Sequence, residues 1–224
     1  LQAPKSLIDK EIPALLLVTF VAGILLFDLY LGLFDAIVLI AVTMYLGYQL
    51  FRKKIKTGPL TDINDENLGE VGSLQASAYL LLGLALLILS AEALVAAAIS
   101  IAEILGVSTS IIGLTIVALG TSLPELAASV TCALKGHYDL AIGNIFGSNI
   151  LNFLAVLPFP GLFAPSSIEP ALLYRDFTGV LLLTLLLAYF CYSGIKKGKM
   201  ISRFNGAIFV SIYAGWFSIM MFQV

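Results

Sequence analysis

The chain has 224 residues, 60% of them apolar and 12% charged, against about 45–50% and about 25% in soluble domains. A mean hydropathy of +1.03, with apolar runs of about 18 residues or more along its length, excludes a single soluble core; the runs are continuous and do not alternate, which favours helices over a barrel. A net charge of −2 gives no basic field and excludes nucleic acid as a partner.

Leu1 is not a translation start, and residues 1–11 are too polar for the apolar core of a signal peptide, so the chain is expected to be a fragment or a processed product. Apolar runs between charged breaks predict an all-α integral membrane protein of about seven transmembrane helices, near residues 12–30, 34–51, 75–105, 109–134, 140–163, 173–193 and 204–222. The third run would cover about 46 Å as a helix, so it has to tilt, kink or protrude. With this layout Lys5, Lys10, Arg52, Lys53, Lys54, Lys56, Lys135, Lys196, Lys197, Lys199 and Arg203 fall on one side and Arg175 alone on the other. By the positive-inside rule the N-terminus and the 52–74 loop are cytoplasmic and the C-terminus is outside, as in a bacterial inner membrane. Cys132 and Cys191 then lie near cytoplasmic ends, where disulfides are rare, and read as packing residues.

The loop after Arg52 is basic first (Arg52, Lys53, Lys54, Lys56) and then acidic (Asp62, Asp65, Glu66, Glu70), and reads as a solvated linker whose basic start binds anionic lipid. A calcium loop starting at Asp62 fails, because its sixth position is Asn67 where Gly is needed and its twelfth is Ser73 where Glu is needed. A faint repeat straddles the linker. Phe34-Asp35-Ala36 opens the second span and Phe204-Asn205-Gly206 the last, in opposite membrane directions, as an inverted repeat demands.

The fourth span holds Ala118-Leu119-Gly120-Thr121-Ser122-Leu123-Pro124-Glu125. A carboxylate at a helix centre costs roughly 2.5–3.5 kcal/mol on insertion scales and marks a functional site by default. Pro124 has no N–H and clashes with the Gly120 carbonyl, which loosens the ladder and offers carbonyls around 118–120 as ligands. Helical spacing puts Ala118, Thr121, Ser122 and Glu125 on one broad face. The fifth span holds Gly143 and Gly147, a small-xxx-small pair for close backbone approach, and a polar stripe of Asn144, Ser148 and Asn152. Together these offer carboxylate, hydroxyl, amide and carbonyl oxygen without thiol or imidazole, a donor set for hard cations such as Ca²⁺ and Na⁺ and not for zinc or copper. Without the carboxylate and proline, Ser, Thr and Asn would read equally well as helix-helix glue.

The run from Gly113 to Glu125, followed by Gly143-Asn144 and Gly147-Ser148-Asn149, resembles the α-repeat of the sodium/calcium exchangers over about residues 79–157, most like bacterial members without a large regulatory loop. The resemblance implies an inverted-repeat antiporter of two five-helix halves. Residues 75–224 would be the second half, 1–57 the last two helices of the first and 58–74 a cytoplasmic linker; the first α-repeat would lie in a missing N-terminal half of the same polypeptide. It also implies a metal site in which Glu125 binds both Ca²⁺ and Na⁺, Thr121 and Ser122 give hydroxyls, the Ala118 carbonyl serves sodium, and Ser148 and Asn152 complete the set. Some members carry Asp where Asn152 stands, which bears on stoichiometry and potassium dependence. One carboxylate cannot balance a divalent ion, so a second is expected from elsewhere, and the charge asymmetry opposes an antiparallel homodimer as its source.

Glu92 is the best remaining acid inside a span, read either as part of an ion path or as a helix-helix hydrogen bond or watery crevice. Glu103, Asp28 and Asp35 fall near outer span ends, where interfacial water would serve them. His137 and Asp139 sit in a surface turn, and the single His leaves no Ser-His-acid arrangement, so no enzyme is expected. No cofactor is implied; Ca²⁺ and Na⁺ are cargo. The reading is Na⁺/Ca²⁺ exchange by alternating access, with Ca²⁺/H⁺ antiport and a passive cation channel as alternatives, and a non-transporting scaffold behind them.

Overall fold

The computed structural model describes residues 7, 10–57, 73–107, 109–198 and 201–223. The 58–72 part of the predicted linker, with the rejected calcium loop at Asp62, lies outside the described residues, as do Lys5 and Lys199. Every predicted span is a helix. They are α1 (Glu11–Leu25), α2 (Leu33–Thr57), α3 (Ser73–Ile104), a broken fourth span, α6 (Tyr138–Leu151), α8 (Thr178–Lys197) and α9 (Arg203–Gln223). The fourth span comprises α4 (residues 109–121, with a π-helical turn at Gly113–Val117) and α5 (Leu123–Leu134).

Two further π-helical turns extend these helices. Asn152–Val156 carries α6 on into the short α7 (Pro158–Phe163), and Leu172–Phe177 leads into α8. Among the described residues Glu11–Asp28, Leu74–Ile104, Tyr138–Phe163, Leu172–Lys197 and Arg203–Met221 are long and apolar enough to cross a membrane, the bent pair Thr115–Thr121 with Leu123–Leu134 makes a sixth, and Leu33–Gln49 is a shorter apolar helix. α2 continues to Thr57, through the basic run that the hydropathy reading places after the span.

The chain divides into two compact units, residues 1–53 with 129–224, and residues 54–128. In the first, Leu7, Ile12 and Leu15 pack with Ile142, Phe146, Ala188 and Cys191, which joins α1, α6 and α8. Lipid tails are as apolar as leucine, so these contacts hold by packing and not by transfer out of water. Cys191 is wholly buried there and is a packing residue, as its position suggests.

After α1 the chain reverses at Leu29, whose φ of 58° is left-handed. The Asp28 carboxylate accepts the Tyr30 N–H at 3.0 Å. Tyr30 and Leu31 then pair antiparallel with Ser167 and Ser166. Asp35 differs from expectation: it is buried, 6% exposed, with Oδ2 accepting the Gly32 N–H at 2.8 Å. A carboxylate three residues into a helix satisfies an N–H that the helix start leaves unbonded, so capping and not interfacial water holds it.

Both segments of the faint repeat stand at helix starts. Asp35 and Asn205 are each the third residue of their helix, and the first helical bonds run from Ala36 N–H to the Gly32 carbonyl and from Gly206 N–H to the Ser202 carbonyl. Near the start of α8, Arg175 and Asp176 form an ion pair at 2.7 Å, and Trp216 Nε1 of α9 donates to Asp176 Oδ1 at 2.9 Å.

In the second unit α3 lies close to α4. A Cβ added to the buried Gly120 would land on the Val95 side chain, so only glycine fits at this crossing. At Gly143 and Gly147, by contrast, an added Cβ meets no described atom within 4 Å. The expected close approach at that pair is not made; in the first unit it occurs instead at Gly161, whose added Cβ would stand 2.7 Å from the Gly32 carbonyl, and at Gly23 against Phe177.

Candidate ion-binding site

The fourth span breaks at Ser122, where φ and ψ are −93° and 0°, and its two limbs differ in direction by 47°. Ser122 N–H closes a tight turn on the Leu119 carbonyl at 3.1 Å, and the new helix starts with Leu126 N–H on the Ser122 carbonyl at 3.0 Å. Pro124 is the second residue of that limb, where a missing N–H costs nothing. The proline therefore acts by starting α5, and the break precedes it by two residues. Glu125 lies in the first turn of α5, where the positive end of the peptide dipoles favours a carboxylate. It is half-buried, with Oε2 wholly enclosed.

The Ala118 carbonyl accepts Thr121 Oγ1 at 3.1 Å and Ser122 Oγ at 3.3 Å. That carbonyl is thus engaged here and not simply released by the proline. A hydroxyl whose proton is committed to a carbonyl presents only lone pairs to anything else, the polarity a cation needs. Ala118, Thr121 and Ser122 are exposed. One short segment therefore gathers two hydroxyl oxygens, a carbonyl oxygen and a carboxylate around a helix break.

On α6 the polar stripe divides. Asn144 Nδ2 donates to Ser129 Oγ at 2.8 Å, so Asn144 and Ser129 hold helix to helix. Ser148 Oγ donates to the Ile145 carbonyl at 3.1 Å, which turns its lone pairs outward. Asn152 is exposed, one turn beyond, at the start of the π-helical turn, and its own carbonyl accepts Leu157 N–H at 2.9 Å. Ala118, Thr121, Ser122 and Glu125 belong to one compact unit, Ser148 and Asn152 to the other.

Among the described residues no three His, Cys, Asp or Glu side chains gather as a metal cluster, in keeping with a motif that brings one carboxylate. Glu92 is exposed on α3. His137 and Asp139 are exposed around the start of α6, as expected of a surface turn. Sequence reasoning missed the partner of Asn144 and the π-helical turns. Ser129 carried no signal beyond being a hydroxyl in an apolar helix.

Continuous apolar helices, with a mid-span break and oxygen donors collected at it, define an α-helical integral membrane protein. The chain belongs to the sodium/calcium exchanger protein family, whose profile matches residues 76–222. It is 39% identical over 225 aligned residues to the protein CaxA of Alkalimonas amylolytica, covering 93% of this chain and 66% of that protein. It is 33% identical to the inner membrane protein YrbG of Escherichia coli strain K12, over 96% of this chain and 67% of that one. A structure of the sodium-calcium exchanger NCX_Mj, soaked with Na⁺ and Ca²⁺, superposes with a TM-score of 0.75 at 26% identity, over 97% of this chain and 67% of the other. The chain thus spans about two thirds of the length of these relatives.

Proposed function

We propose that this chain forms part of a secondary antiporter that exchanges Na⁺ for Ca²⁺ by alternating access, with Glu125, Thr121, Ser122, the Ala118 carbonyl, Ser148 and Asn152 as its share of the ligands. The observation that carries the reading is the helix break. There two hydroxyls turn their protons onto Ala118 and keep their lone pairs free, three and four residues before a carboxylate at a helix start.

Residues 75–224 act as one repeat and 1–57 as the end of the other, joined by the 58–74 linker. One carboxylate balances half the charge of a calcium ion, so a second repeat outside these residues supplies another. Coupling follows from competition. Sodium and calcium need the same carboxylate oxygens, so loading one expels the other, and rocking of the helices around the site changes the side it faces.

The test is calcium uptake into vesicles carrying the intact gene product, driven by an outward sodium gradient, with Glu125→Gln in parallel. Uptake that depends on sodium and disappears in Glu125→Gln is expected. Sodium-independent uptake in a pH gradient would reject the sodium coupling and select a cation/proton antiporter; conductance without counter-transport would select a channel.

A further inference from the structure

We infer that Thr43, on α2 and outside the ion-binding motif, is a positioning residue for Asn152. The inference rests on the antiporter reading for the role of Asn152, and on a backbone problem that Pro158 creates. Pro158 opens α7 and has no N–H to give to the carbonyl four residues back, that of Leu154, against which its ring also presses. Leu154 lies inside the π-helical turn Asn152–Val156, where Leu157 N–H reaches five residues back to the Asn152 carbonyl at 2.9 Å. A carbonyl that loses its helical donor within a membrane needs another from a neighbouring side chain.

Thr43 supplies it. Its Oγ1 donates to the Leu154 carbonyl at 3.0 Å and shares the same proton with its own Leu39 carbonyl at 2.8 Å. The bond joins residues 111 apart in sequence. Asn152 begins the wide turn that this bond holds, so the direction of its exposed amide depends on the turn keeping its extra residue. Let the Leu154 carbonyl go and the turn can tighten toward an ordinary α-helix, which rotates Asn152 by part of a turn relative to the segment from Leu157 on; Ser148, whose carbonyl accepts the Asn152 N–H, turns with it. Thr43 thereby sets how far Asn152 contributes to cation binding without touching the cation.

Sodium-driven calcium uptake by the intact gene product is measured against sodium concentration for wild type, Thr43→Val, Thr43→Ala, Thr43→Ser, Asn152→Ala and Thr43→Val with Asn152→Ala. Thr43→Val and Thr43→Ala are expected to raise the half-saturating sodium concentration about three- to tenfold, the worth of one hydrogen bond, with little change in maximal rate. Thr43→Ser keeps the hydroxyl and stays near wild type. In the Asn152→Ala background Thr43→Val adds nothing.

Equal losses in both backgrounds would make Thr43 a structural residue only and reject the inference, as would unchanged half-saturation. Failure of both hydroxyl-free variants to accumulate, with Thr43→Ser normal, rejects it too. Amide hydrogen exchange at residues 155–157 judges the bond apart from transport: it rises in Thr43→Val and not in Thr43→Ser, and equal exchange in both refutes the pin. Wild-type protein without sodium-driven uptake would fail the antiporter reading, and the amide exchange would then decide the pin alone.

Discussion

Glu125 brings the negative charge of the proposed site in one side chain, and Thr121 and Ser122 bring its hydroxyls. Glu125→Gln keeps the shape and removes the charge, so sodium-driven calcium uptake is expected to be lost in it, while Thr121→Val and Ser122→Ala, which each remove one neutral oxygen, are expected to weaken uptake without abolishing it. Uptake by Glu125→Gln equal to that of wild type would contradict the role proposed for this carboxylate. One residue away from the hydroxyls, Gly120 is constrained by sterics. A methyl group there occupies the place of the Val95 side chain, and overpacking of that kind costs about 1–3 kcal/mol. Gly120→Ala should lower the thermal midpoint of the purified protein, and adding Val95→Ala should restore most of it, because the obstructing methyl is gone.

Among the elements, the membrane spans were legible and their internal irregularities were not. Span positions follow from the run of apolar residues needed to cross hydrocarbon, a constraint carried by composition alone, so all seven runs fold as helices near the predicted bounds. The break near Pro124 was legible for the same local reason, although the proline starts the new helix and does not merely loosen the old one. The π-helical turns depend on what packs beside them. Asn152–Val156 has a proline just beyond it and a threonine from α2 against it, while Gly113–Val117 has no proline after it until the break. Asp35 was misplaced because hydropathy locates a span end without saying whether its first turn is buried.

The start of α8 shows the same limit. Arg175 was legible as the sole basic residue on its side, but its bidentate hold on Asp176, at 2.7 and 3.0 Å, and the Trp216 N–H on the same carboxylate were not. Trp216→Phe keeps the ring and removes the donor, so it should cost about 1 kcal/mol. Asp176→Ala also removes the acceptor of two Arg175 hydrogen bonds and should cost more, about 1–3 kcal/mol, both read as shifts of the unfolding midpoint in detergent.

At the scale of the whole molecule, charge and orientation bear together on where a second carboxylate could come from. Eleven of the twelve Lys and Arg fall on one side of the seven-span layout, a bias that predicts one direction of insertion. A calcium ion at Glu125 needs a second carboxylate, and a single direction of insertion denies it to an antiparallel copy of the same chain. In the proposed antiporter it comes from a repeat that crosses the membrane in the opposite sense by its own topology. His137 and Ser167 are both exposed and lie on predicted opposite sides. In a background without Cys132 and Cys191, Ser167→Cys is expected to react with a membrane-impermeant maleimide on intact cells, and His137→Cys only after permeabilisation. Equal labelling of both on intact cells would mean dual insertion, and an antiparallel pair of these chains, each lending its Glu125, would then replace the second repeat as the source of the missing charge.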